Sequence, residues 1–87
     1  MNTITFVNRD WSQLQLEVRA GNSPSCDANG EVIAPVTLQQ NQERTIETDA
    51  STVCYRRTAS PPDLTSGWTE WTILSPDDIG NPYTEYL

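Results

Sequence analysis

Polar and apolar positions alternate without a break through residues 13–20, which read Gln-Leu-Gln-Leu-Glu-Val-Arg-Ala. Leu14, Leu16, Val18 and Ala20 share one face, and Gln13, Gln15, Glu17 and Arg19 share the other. A period of two marks a strand with one side in a core and the other in water. Residues 3–7 repeat the rhythm, with Ile4 and Phe6 opposed to Thr3, Thr5 and Val7. Residues 31–39 set Val32, Ala34, Val36 and Leu38 on one face and Pro35 on the opposite one. Proline has no N–H to give to a ladder, so this third segment is expected at a sheet edge or at a bulge.

The later segments are weaker. Residues 44–48 carry Ile46 as their one large apolar side chain. Residues 52–58 place Val53, Tyr55 and Arg57 on one side and Cys54 and Arg56 on the other, so the adjacent arginines point apart. In residues 68–74, alternation puts Trp71 and Ile73 on one face and Trp68, Glu70, Thr72 and Leu74 on the other. The two tryptophans are then expected on different surfaces, with Trp71 in the core.

Turn chemistry separates these segments. Asn8-Arg9-Asp10 turns the chain, and Trp11 beside it is expected to fold back over the open end of the core. Residues 21–30 form a loop that closes with Asn29-Gly30, a type I′ signal. Residues 39–43 are wholly polar, residues 49–51 reverse the chain again, and residues 59–67, with Pro61-Pro62, are long enough to cross between sheets. Ser75-Pro76-Asp77-Asp78 has the makings of one helical turn, Ser75 as cap and Pro76 at the first position. The remainder is expected as an extended tail whose Tyr83 and Tyr86 pack back on the sheet. The reading is one all-β domain over residues 1–87, a small antiparallel β-sandwich or partly open barrel of about six strands. Its strands lie within residues 1–75 and a short irregular tail covers 76–87.

Charge narrows the partners. The chain has 87 residues, 12 Asp plus Glu against 5 basic residues, all arginine, and a net charge of −7. Nucleic-acid phosphates and anionic lipid are therefore poor partners, and a protein or surface ligand is the better expectation. No apolar run approaches the roughly 20 residues that cross a bilayer, so no membrane insertion is expected. The first residues lack the basic and long apolar regions of a secretory signal, which as written implies the cytoplasm unless a signal was removed. Cys26 and Cys54 leave the compartment open. Bridged, they would contribute about 2–4 kcal/mol and place the protein outside the reducing cytoplasm; reduced, they would fit inside it.

Candidate chemistry is sparse. With no histidine and no lysine, a serine or cysteine nucleophile lacks its usual base. Two cysteines cannot complete a conventional zinc site, and neither a P-loop nor a dinucleotide Gly-x-Gly-x-x-Gly pattern is present. No cofactor and no metal are expected. Glu17, Glu47 and Glu70 lie on strand segments and would make a carboxylate pair only if two of those strands met, while exposed glutamate on a solvated sheet face is the simpler reading. Asp27, Asn29 and Glu31 alternate oxygen ligands, but Gly30 and Leu38 fall where a calcium loop needs other residues. Asp77-Asp78 suits the first turn of a helix as well as a weak cation site.

Trp68-Thr69-Glu70-Trp71 resembles the Trp-x-x-Trp element of thrombospondin-type repeats, over four residues only. Those repeats depend on several disulfides and stacked arginines, which two cysteines do not supply, so no family is assigned. The leading functional expectation is a non-enzymatic binding domain that uses a sheet face or the loops 21–30 and 59–67. Trp11, Tyr55, Arg56 and Trp68 are its candidate contact residues, Arg56 and Trp68 joining a tail tyrosine in an aromatic and cationic surface. One alternative is a small acidic inhibitor or nucleic-acid mimic that binds a basic host protein; a more remote one is a carboxylate-pair enzyme. A homodimer through an unblunted edge strand is compatible with the pattern.

Overall fold

The computed structural model describes residues 2–21, 32–50, 52–58 and 67–87. The alternating segments become strands because each can bury one face and solvate the other. They are β1 (Asn2–Asn8), β2 (Gln13–Gly21), β3 (Val32–Gln39), β4 (Gln42–Thr48), β5 (Thr52–Arg57) and β6 (Thr72–Leu74), followed by a helical turn α1 (Pro76–Ile79) and β7 (Tyr83–Tyr86). They form two sheets, β4-β1-β7 and β3-β2-β5-β6. The small all-β sandwich is the architecture.

The core fills the space between the sheets. Ile4 and Phe6 of β1 and Ile46 of β4 face Leu14, Leu16 and Val18 of β2, Leu38 of β3, Val53 of β5 and Leu74 of β6. Trp11 packs against this cluster as expected of a residue at the open end. The guanidinium of Arg57 lies over its ring at 5.4 Å.

Two connections cross between the sheets side by side at that end. β1 passes to β2 through residues 9–12, and β3 passes to β4 through Gln40 and Asn41. The Gln40 N–H donates to the Ser12 carbonyl at 3.1 Å, and the Asn41 N–H donates to the Asn8 carbonyl. Asn41 has φ 67, a left-handed conformation that asparagine tolerates better than most residues. Asn8 is fully buried. Its amide donates to the Leu38 carbonyl at 3.1 Å, and its Oδ1 accepts from the Trp11 N–H at 3.2 Å.

β3 is an edge strand, as Pro35 required, and it is also bulged. The register with β2 slips between Val18, opposite Ala34, and Arg19, opposite Val32. Ile33 is the extra residue, and it packs against the core although strict alternation would send it to solvent.

Three expectations need correction. The tail is not irregular, because β7 adds to β1 with Ile4 opposite Tyr83 and Val7 opposite Tyr86. That pair is parallel, so the sandwich is not wholly antiparallel: the chain leaves β6 in one sheet, makes the turn α1 and enters the other running the same way as β1. The segment 68–74 is not one strand. Trp68 forms an isolated bridge with Thr58, and pairing resumes only at Thr72. In between, the Thr69 hydroxyl takes the Arg57 N–H at 3.1 Å in place of a backbone carbonyl. The ladder breaks there, and face parity is not carried from Trp68 to Leu74. Leu74 is core and Ile73 is 47% exposed, the reverse of the expected placing of Trp71 and Ile73.

Candidate functional site

The outer face of the four-stranded sheet carries the densest side-chain chemistry of the described residues. Glu17, in the middle of β2, lies opposite Arg56 of β5 on one side and opposite Pro35 of β3 on the other. Arg19, two residues along the same face, donates from Nε to Glu17 Oε1 at 2.8 Å. Nη2 of Arg56 approaches Oε2 and Oε1 of the same carboxylate at 3.3 and 3.4 Å. Partial burial pushes the Glu17 carboxyl up, but hydrogen bonds from Arg19 and Arg56, with their charges, outweigh it and hold it below the ordinary carboxylate range.

Arg56 is clamped. Its guanidinium lies over the Trp68 ring at 4.8 Å and over the Trp71 ring at 4.6 Å, distances at which cation–π attraction operates. Nε of Arg56 is buried without a hydrogen-bond partner among the described residues. Trp68 is itself 38% exposed and Trp71 is half-buried, so neither belongs to the core, and they flank one arginine instead of facing opposite surfaces. The aromatic spacing of the Trp-x-x-Trp segment therefore does hold a stacked arginine, one supplied by β5.

Beside Trp68 an open groove of about 280 Å³ runs along the β2–β3 pair, lined by Gln15, Glu17, Pro35, Thr37 and Trp68 over Leu16 and Val36. Gln15 and Thr37 are directly opposed across the two strands. The groove and the Arg56 clamp share Glu17 and Trp68.

The sequence-derived candidates divide. Arg56 and Trp68 are brought together. Trp11 lies at the end of the core with Arg57, away from that face. Tyr55 points between the sheets, opposite Val18, and meets Phe6 edge-on with ring centroids 5.1 Å apart. Its hydroxyl end lies near Thr72 and, across the interior, near the Glu85 carboxylate of β7. Burial, then the charge of Glu85, pushes the Tyr55 hydroxyl up. Burial also raises Glu85, with hydrogen bonds from Tyr83 and Tyr55 offsetting part of the shift. The tail tyrosines do not join the Arg56 surface: Tyr83 packs on the core and Tyr86 stacks under Arg9 at 4.4 Å.

Of the candidate carboxylates, Glu17 and Glu47 sit in different sheets and Glu70 is exposed on the segment after Trp68. Asp27, Asn29 and Glu31, the loops at 22–31 and 59–66, and Cys26 lie outside the described residues. Cys54 is buried on β5 opposite Arg19. Among the described residues no three Cys, Asp or Glu side chains gather as metal ligands, and no helix is long and apolar enough to cross a membrane. Sequence reasoning passed over Arg19 and Asn8. Arg19 had a visible signal, its position two residues from Glu17 on a strand face. Asn8 had none, because asparagine before Arg-Asp reads as an ordinary turn residue. Compared with known proteins, the chain matches no family model, no curated protein and no solved structure.

Proposed function

We propose that this chain is a non-enzymatic binding domain whose contact surface is the outer face of the four-stranded sheet around Trp68, Arg56 and Glu17. The observation that carries the reading is the clamped arginine: a cation held between two tryptophans, one of them well exposed, beside an open groove. Exposed aromatic rings and arginine are the residue types that concentrate binding energy, and here their side-chain freedom is already spent in the unbound state. Trp11 and Tyr55 contribute to the fold and are not part of this surface. A bridge between Cys54 and Cys26 belongs to the reading as a second element. It predicts an intact chain that takes up no alkylating agent until it is reduced.

The test is capture of partners from host material with the wild-type chain and Trp68→Ala as paired baits over a salt gradient. Retention that depends on Trp68 and changes little with salt supports the reading. Retention that ignores Trp68 and is lost in moderate salt transfers support to the acidic-inhibitor alternative, in which carboxylates such as Glu43, Glu47 and Asp49 meet a basic partner.

A further inference from the structure

We infer that the groove beside Trp68 is a saccharide subsite, taking one or two neutral sugar rings with the Trp68 indole as its stacking platform. This rests on the binding-face reading above and names the class of ligand for it.

The chemistry of the walls selects the ligand. Gln15 offers a donor and an acceptor, Thr37 offers both from one hydroxyl, and Glu17 is an acceptor only. Sugar hydroxyls donate and accept, and their ring C–H faces are apolar, so one pyranose can use all three polar groups and the indole at once. Charged ligands fit less well. An anion would meet the Glu17 carboxylate, which its two arginines keep ionised. A cation would have to compete with Arg19 and Arg56 for the one carboxylate in the groove wall. A neutral polyol meets neither penalty.

The floor points the same way. Leu16 is buried, its side chain turned to the core, so the groove lies over backbone between two cross-strand rungs, Gln15 with Thr37 and Glu17 with Pro35. Rungs two residues apart are separated by about 6.8 Å along a strand, a span suited to a flat ring. An extended peptide adding to the β3 edge would meet Pro35, which has no N–H for it. The volume, about 280 Å³, lies just under the roughly 300 Å³ at which drug-sized sites begin. That leaves room for a small ligand.

Arg56 is the positioning residue. It holds the Trp68 ring by stacking on it and orients Glu17 from behind. Its Nη2 contacts to Glu17, at 3.3 and 3.4 Å, are long and leave donor capacity that a ligand oxygen near Glu17 can draw on.

The experiment is titration of the intrinsic tryptophan fluorescence of the full chain. The probes are methyl glycosides of glucose, galactose and mannose, N-acetylglucosamine, their linear tetrasaccharides, an acidic hexapeptide and an oligogalacturonate. The expected result is saturable binding of at least one neutral saccharide with Kd of about 1 mM or tighter. Trp68→Ala should weaken it about tenfold or more, and Gln15→Ala and Arg56→Gln severalfold. Arg57→Ala, which touches Trp11 instead, should leave it unchanged. Thr37→Val alters the groove without touching the Trp–Arg stack and serves if Trp68→Ala does not fold; it should also weaken binding severalfold. No binding of any neutral sugar, or binding indifferent to the groove variants, overturns the proposal. Binding of the acidic hexapeptide or the oligogalacturonate alone, or Trp68-dependent protein capture with no sugar binding, also overturns it while leaving the binding face intact. Failure of both the titrations and the capture removes the two together.

Discussion

Asn8 does more for this fold than any hydrophobic residue of its size could. Fully buried, it gives one hydrogen bond to the Leu38 carbonyl and receives another from the Trp11 N–H, while its own carbonyl receives Asn41. Asn8→Ala strands a buried carbonyl and an N–H, and should lower stability by about 1–3 kcal/mol. The measurement is a shift of the urea midpoint at constant slope. Two glutamates make opposite pH signatures. Glu17 is held low in the folded state, so it contributes stability above the ordinary carboxylate range, and that contribution is lost as pH falls through its folded value. Glu85 is held high, so the folded state binds its proton more tightly than the unfolded chain, and stability declines as pH rises through its folded value. Glu17→Gln should therefore lower stability at neutral pH and flatten the acid limb of a melting-temperature profile. Glu85→Gln should raise stability at neutral pH and flatten the limb just above the ordinary carboxylate range. The positions of Glu17, Arg19 and Arg56 on one face were legible from parity alone. Their convergence was not, because it depends on which strand lies beside β2.

At the scale of the element, the period-two pattern was enough for β1, β2 and β3, whose buried and exposed faces fall where alternation puts them up to the bulge at Ile33; in β5 it turned Tyr55 inward and Arg56 outward, but Thr52, Val53 and Cys54 are all buried. It failed where backbone hydrogen bonding changes partner, at Thr69, and where the apolar content is too thin to show a period, in β7. Four residues reading Tyr-Thr-Glu-Tyr carry no strand signal on their own, and become one because β1 leaves an edge open beside them. The link into β7 rests on Gly80, whose φ of 91 and ψ of 172 belong to a region open essentially to glycine. An added Cβ there meets no atom within 4 Å among the described residues, so the penalty is conformational alone. Gly80→Ala should cost about 1–3 kcal/mol. The loss should appear first in the β7 amides, as faster hydrogen exchange at Thr84 and Tyr86 than in β2.

Over the whole molecule, charge and edges decide how copies meet. β4 is an edge strand, with β1 its one ladder partner among the described residues. Antiparallel self-pairing centred on Thr45 would set Glu43 of one copy against Glu47 of the next. Like charges directly opposed are destabilising, and each chain already carries −7. The expected state is a monomer by sedimentation at neutral pH, with self-association through β4 appearing only after Glu47→Lys. The sequence showed that an edge would have to be guarded and named Pro35 for it; the second guard was hidden until β4 took its place at the other sheet's rim.

The order of the three-stranded sheet also sets a timetable. Its central strand, β1, leaves the ribosome before either neighbour; β4 follows it, and β7 comes after every other described strand. The four-stranded sheet can assemble from β2, β3 and β5 while β1 waits with Val7 and Thr5 exposed along an unclaimed border. Until Tyr83–Tyr86 emerges, that border stays unpaired, so synthesis that stalls after Leu74 should leave a product that sticks to other chains, where β7, once made, closes the border from within.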